Sequence, residues 1–237
     1  MTTWVHFFSG AGIPAWFSME GLWRIDWYRV QEVIPVQGES PFALRRGAEL
    51  VRIETGSPVR FSGDDIAAEG LIPLHLQGVM QHLHYTGRAE REDLERVSRP
   101  EPGLSGEMIT VLILVGKSEA WWKMAQDERQ VLFQKTARHE GHRNIGYRYA
   151  DRIYRRLYHA RYVHPAAPYD FITYFEFESS HTADFRSLLS ELRDIRKNPE
   201  WLYVDFECEV WMAKSPPPRA PLSEGRICSP SSCGPVG

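Results

Sequence analysis

Two histidines and a run of arginines are the side chains of this sequence with most chemistry to offer. His139 and His142 stand three residues apart, which on a helix puts them on nearly the same face, so either could serve as a ligand. Taken alone, each is more often a solvated or hydrogen-bonded side chain. Seven arginines fall between Arg138 and Arg161. Most suit a solvated helix-and-strand face, but an arginine drawn partly out of water needs an anion, and Arg155 is placed for that role. Its guanidinium is a permanent charge with a fork of donors that fits a small oxyanion. Upstream, Lys117 ends an apolar run and is followed by Trp121 and Trp122, flat side chains that serve as core or as walls beside a planar ligand.

The elements around these residues can be read from their periods. The acids of QDER open a helix near Gln126, which is expected to run through Val131, Leu132 and Phe133 to about Tyr149. The period then changes to two. Ile153, Arg155, Leu157 and His159 take one face of a strand, and Tyr154, Arg156, Tyr158 and Ala160 the other. Arg156, opposite Arg155, is the better candidate for an ordinary surface cation. After a proline-containing break, YDFITYFEFE alternates again, with Phe171, Thr173, Phe175 and Phe177 on one face. A helix followed by a hairpin can enclose a flat ligand, with His142 pointing from the helix and Arg155 from the sheet.

Elsewhere, strands are expected at Trp4–Phe8, Arg24–Val36 and Trp201–Ala213, and Met108–Gly116 reads as a strand buried on both faces. Gly38–Glu69 is read as an insertion or long loop, with a possible short strand at Leu50–Glu54. Leu74–Val97 carries Leu76, Val79, Met80, Leu83 and Leu94 at helical spacing. A second helix spans His181–Asn198, with Phe185, Leu188, Leu189 and Leu192 on its core face and Pro199 as its stop. From Met108 the order is strand, helix, strand, strand, helix, strand, an α+β ferredoxin-like unit. The N-terminal half looks like a partial second copy. The division is therefore 1–106 as a truncated first half with its insertion at about 38–69, 107–214 as the second half, and 215–237 as a Pro/Ser/Gly-rich tail too polar to fold alone.

Composition narrows the function. At 237 residues the chain can bury a real core, and 43% hydrophobic with 25% charged residues is ordinary for a globular protein. A formal charge of −3 with mixed signs argues against nucleic acid as partner. No apolar run approaches the roughly 20 residues of a membrane helix, and the first residues lack the basic segment of a signal peptide. Three cysteines, Cys208, Cys228 and Cys233, are too few for a disulfide framework and fit a reducing compartment, so a cytoplasmic location is expected.

KSEAWWKMAQDER, the thirteen-residue spacing of His142 and Arg155, RLYHAR and DFITYFE together resemble the chlorite dismutase family of heme proteins, densely over about sixty residues. The resemblance implies a dimeric α+β barrel of two ferredoxin-like halves. GVMQHLHYTGRAE resembles the matching helix of the shorter lineage, which implies a homodimer. It selects His142 over His139 as the proximal ligand of heme b iron, and Glu200 as the acceptor that orients it. Arg155 would sit over the open face, within a small apolar pocket of Leu157, Thr173 and Phe175. Lys117 or Tyr85 would reach a heme propionate, and Trp122 would wall the porphyrin. The implied reaction converts chlorite to chloride and dioxygen through a ferryl species and a hypochlorite that Arg155 retains. The related coproheme decarboxylase is the nearest rival. It has tyrosine at the position of Trp122 and typically another residue at that of Arg155, yet HRNIGYRYA resembles its helix more closely. A peroxidase-like or biosynthetic heme enzyme, and a heme-binding protein without turnover, are the other readings.

Overall fold

The structure is a computed structural model that describes residues 2–9, 22–39, 44–56, 74–80, 88–102, 107–163 and 167–217. Its centre is a closed barrel of β1 (Trp4–Ser9), β2 (Leu22–Gln37), β3 (Glu49–Thr55), β4 (Leu74–Met80), β5 (Met108–Lys117), β6 (Tyr154–His159), β7 (Phe171–Glu178) and β8 (Val204–Lys214). Round the barrel the order is β1-β3-β2-β8-β5-β7-β6-β4, and every neighbouring pair is antiparallel. Each set of four strands therefore repeats one spatial order: β4-β1-β3-β2, then β8-β5-β7-β6.

The period-two faces explain the layers. Leu112 and Leu114 point into the barrel with Val5, Phe7, Tyr28, Leu50, Tyr158, Tyr174 and Val210. Val111 and Ile113, on the other face of the same strand, pack outside with Phe175, Phe177, Phe185, Leu188 and Trp211. Strand β5 is thus buried on both faces, as its unbroken apolar run predicts. The outer layer consists of α2 (Glu119–Lys123), α3 (Gln126–Phe133), α4 (Gly141–Tyr147) and α5 (Thr182–Arg193), and α1 (Arg88–Val97) lies between β4 and β5 in the chain. No helix of the described residues is long and apolar enough to cross a membrane.

Three expectations are corrected. Leu74–Met80 is a strand, not the start of a helix, and among the described residues of that stretch the helix is Arg88–Val97. Leu76, Val79 and Met80 fit a helical stripe, but Leu74, Leu76 and Gly78 also fit period two, and pairing with β1 decides between them. Gly78 has its own reason: a Cβ there would lie 2.8 Å from that of Tyr158. Second, the helix expected from Gln126 to Tyr149 is broken between α3 and α4. Third, β3 lies within the stretch read as an insertion, yet it is an integral barrel strand between β1 and β2. Tyr85, Cys228 and Cys233, with nearly all of the tail, lie outside the described residues.

Candidate heme-binding site

The break between α3 and α4 determines what His142 does. Thr136 Oγ1 accepts from the backbone N–H groups of Arg138 and His139 at 3.1 and 3.3 Å, which turns the chain out of the helix. Gly141 then adopts a φ of +75°, and a Cβ there would come within 2.4 Å of the Gln134 carbonyl oxygen. Its N–H donates to the Lys197 carbonyl at 2.9 Å. These bonds anchor the first turn of α4 beside the loop that precedes β8. His139, outside the helix, engages Thr136 Oγ1 at 3.2 Å and the Val131 carbonyl at 3.1 Å. The two histidines therefore do not share a helical face, and they serve different surroundings.

His142 is 26% exposed at its side chain, and its Nδ1 lies 2.7 Å from Glu200 Oε2. Glu200, 7% exposed, receives the Lys117 ammonium on its other oxygen at 2.5 Å. Lys117 is 4% exposed and rests over the Trp121 ring, 4.6 Å from its centroid. Burial alone would raise the Glu200 carboxyl, but the charge of Lys117, followed by His142, reverses the effect and holds it well below the usual carboxylate range. Glu200 is therefore an anion placed to accept from His142 Nδ1–H, an arrangement that turns Nε2 away from it. The Lys117 side chain meets Glu200 behind the histidine. Glu200 is not the exposed helix-end carboxylate that its position in the sequence would otherwise suggest; it sits in a short 3₁₀ turn, Pro199–Tyr203.

Arg155 stands on the sheet side. On the outer face of β6 and β7 it is paired with Phe175, and Leu157 with Thr173. Thr173 and Phe175 are buried, Leu157 half-buried, and Phe175 also packs edge-on against Phe185 at 5.1 Å. Arg155 has no hydrogen bond or ion pair among the described residues. Its surface is open to solvent, yet the protein around it drags its guanidinium below the ordinary arginine range, a desolvation that the charge of Glu200 opposes. Arg155 is thus an exposed side chain whose charge the surrounding protein partly desolvates. An anion meeting a cation there gains more than it would at an open surface.

Asp170 is a member of this neighbourhood that the sequence reading missed. Its Oδ2 accepts from the Lys117 backbone N–H at 2.6 Å and from Trp122 Nε1 at 3.2 Å, and its Oδ1 pairs with Arg161 at 2.9 Å. Arg161 in turn lies 4.2 Å over the Trp122 ring, which stacks on Phe171 at 6.0 Å. Trp121 is instead core, packed on Phe133 and Tyr203. Only the position of Asp170 at the head of an alternating strand marked it beforehand.

Among the described residues, no three His, Cys, Asp or Glu side chains converge as a metal site. Two open grooves of about 570 and 630 Å³ lie elsewhere, along β2 and both touching Trp211, and neither is lined by His142 or Arg155.

No family model and no curated protein matches the sequence. Solved structures do. The chain is similar to the dimeric chlorite dismutase from Nitrobacter winogradskyi at 29% identity and a TM-score of 0.65, over 88% of this chain and 99% of that one. A mutant chlorite dismutase from Candidatus Nitrospira defluvii in complex with cyanide shares the fold at 17% identity and a TM-score of 0.61, with 91% of each chain covered. Another mutant of that enzyme matches at 16% identity with the same TM-score and coverage.

Proposed function

We propose that this chain, which has the fold of the chlorite dismutase family, is a heme-dependent oxidoreductase converting chlorite to chloride and dioxygen. The observation that carries the reading is a pair of features that both meet the charge of Glu200. On the helix side stands a histidine whose Nδ1 is held by a buried, lysine-paired carboxylate; on the sheet side stands an arginine without a partner among the described residues. In this reading His142 would hold the heme iron through Nε2, with Glu200, itself paired to Lys117, fixing the orientation of the ring. Bound heme b would supply the oxygen-atom transfer chemistry. Arg155 binds the chlorite anion and retains the hypochlorite left after the first transfer, so that both oxygens leave as dioxygen. The low-dielectric walls of Leu157, Thr173 and Phe175 strengthen that hold. No proton has to move in the balance of chlorite to chloride and dioxygen, so a distal acid or base is not required.

The strand orders β4-β1-β3-β2 and β8-β5-β7-β6 support two ferredoxin-like halves with the boundary near residue 106. The dimeric description of the Nitrobacter winogradskyi enzyme supports a homodimer, checked by the mass of the protein in solution.

The test is oxygen evolution from the heme-loaded protein on adding chlorite. Rapid release is expected, falling on the order of a hundredfold in Arg155→Ala. No oxygen from fully loaded protein moves the function to another heme reaction. The coproheme decarboxylase reading, favoured by HRNIGYRYA, would then come first.

A further inference from the structure

Arg155 and Arg156 are neighbours on opposite faces of β6, and the inward one is not the surface cation its position predicted. Arg156 Nη1 bonds both oxygens of Glu54 at 3.1 and 3.3 Å, and its Nη2 meets Glu101 at 3.3 Å. Two residues on, the Tyr158 hydroxyl donates to the same Glu54 at 2.6 Å. Glu54 belongs to β3, which stands three strands from β6 round the barrel, so these bonds cross the interior. The anchor itself is rigid. Arg52, 0% exposed, donates to Glu54 at 2.6 Å, pairs with Asp26 and Glu101, and lies 4.1 Å over the Tyr174 ring. Burial works to raise the pKa of Glu54, but Arg52, the Tyr158 hydroxyl and Arg156 overcome it, so the carboxyl stays ionised.

We propose that Arg156, braced across the barrel on Glu54 and Glu101, is a positioning residue for Arg155. The proposal rests on the reading of Arg155 as the anion-binding charge. Arg155 has no bond on its own face to fix it, so its location follows from the backbone of β6. Adjacent Cα atoms are held about 3.8 Å apart, and ties at both 156 and 158 restrain the strand from sliding or rolling. A displacement of about 1 Å at a binding group is enough to weaken its action severalfold or more. The ion network inside the barrel thereby acts on the site outside it, although it touches no ligand.

The experiment titrates fluoride into the ferric, heme-loaded full-length chain and reads the dissociation constant from the visible spectrum. Arg156→Met keeps the apolar stem and leaves the Arg52–Glu54 pair whole. It is expected to weaken fluoride binding by about three- to tenfold, to be rescued in part by Arg156→Lys, and to add nothing once Arg155 is alanine. That non-additivity separates positioning from a general loss of structure. If Arg155→Ala binds fluoride less tightly while Arg156→Met binds it normally, the positioning proposal falls and the reading of Arg155 stands. An equal loss from Arg156→Met with and without Arg155 overturns it too. Unchanged binding in Arg155→Ala removes the reading of Arg155 and the proposal with it. Should Arg156→Met load heme incompletely, Glu101→Gln weakens the second anchor, together with the pairs of Glu101 to Arg24 and Arg52, and carries the same cycle, with unchanged affinity again overturning the proposal.

Discussion

The two halves of the barrel repeat one strand order and treat their ionisable side chains in opposite ways. In the first half, Arg52 is enclosed and shared among Asp26, Glu54, Glu101 and the Tyr158 hydroxyl. His6, also fully buried, lies against His75 at 3.2 Å, and desolvation pulls its pKa down to about 3, so it stays neutral. In the second half, Arg155 has no such partners among the described residues, and His142 is backed by an ionised carboxylate. A cation whose donors are already bonded within the protein is not itself available to a ligand. One left with open donors can bind something else. Equally, a histidine that burial keeps neutral among other side chains is occupied within the fold, whereas Glu200 fixes the orientation of the half-buried one.

Exchanging a member of each pair tests that contrast, and the largest effect belongs to the saturated arginine. Arg52→Ala removes the fully buried cation shared by three carboxylates and is expected to cost about 3–5 kcal/mol of stability, read from urea unfolding. Arg155→Ala is expected to cost within about 0.5 kcal/mol, since it breaks no bond. Similar losses for the two would erase the distinction. Next comes the histidine's support. Glu200→Gln should weaken heme binding by about 10- to 100-fold with the fold intact, and His142→Ala should abolish stoichiometric loading. If His139→Ala abolishes it instead, the ligand has been misassigned.

The smallest effect is one of pH. His6 has a pKa of about 3 in the folded chain against 6.5 when unfolded. Between those values the unfolded chain takes up a proton that the folded chain refuses. Stability from this group is therefore complete above pH 6.5 and is lost as the pH falls toward 3. A His6→Asn variant should show a flatter fall in urea midpoint over that window than the parent. An unchanged slope would mean that His6 is not desolvated as its burial indicates.

Much of the site could be read from local pattern. The alternation that puts Leu157 and Thr173 on the face of Arg155 follows from a period of two, and the doubly buried strand at Met108–Gly116 from an unbroken apolar run, while the thirteen-residue interval between His142 and Arg155 had meaning only through the family resemblance. Alternation and an apolar run are properties of neighbouring residues, so the chain carries them without help from its folded context. Other features were decided only by contacts between distant parts of the chain. Leu74–Met80 satisfies both periods, and the ladder with β1 selects the strand. Gly141 opens α4 in the left-handed region, φ +75°, where the Gln134 carbonyl leaves no room for a side chain. Lys117 meets Glu200 across 83 positions, and Arg156 meets Glu54 across 102. No local period records such pairs. The sequence by itself determined which residue types could do the chemistry and which strand or helix would carry most of them. The tertiary structure decided which charges were neutralised and which remained open, because that depends on what packing brings within hydrogen-bond reach.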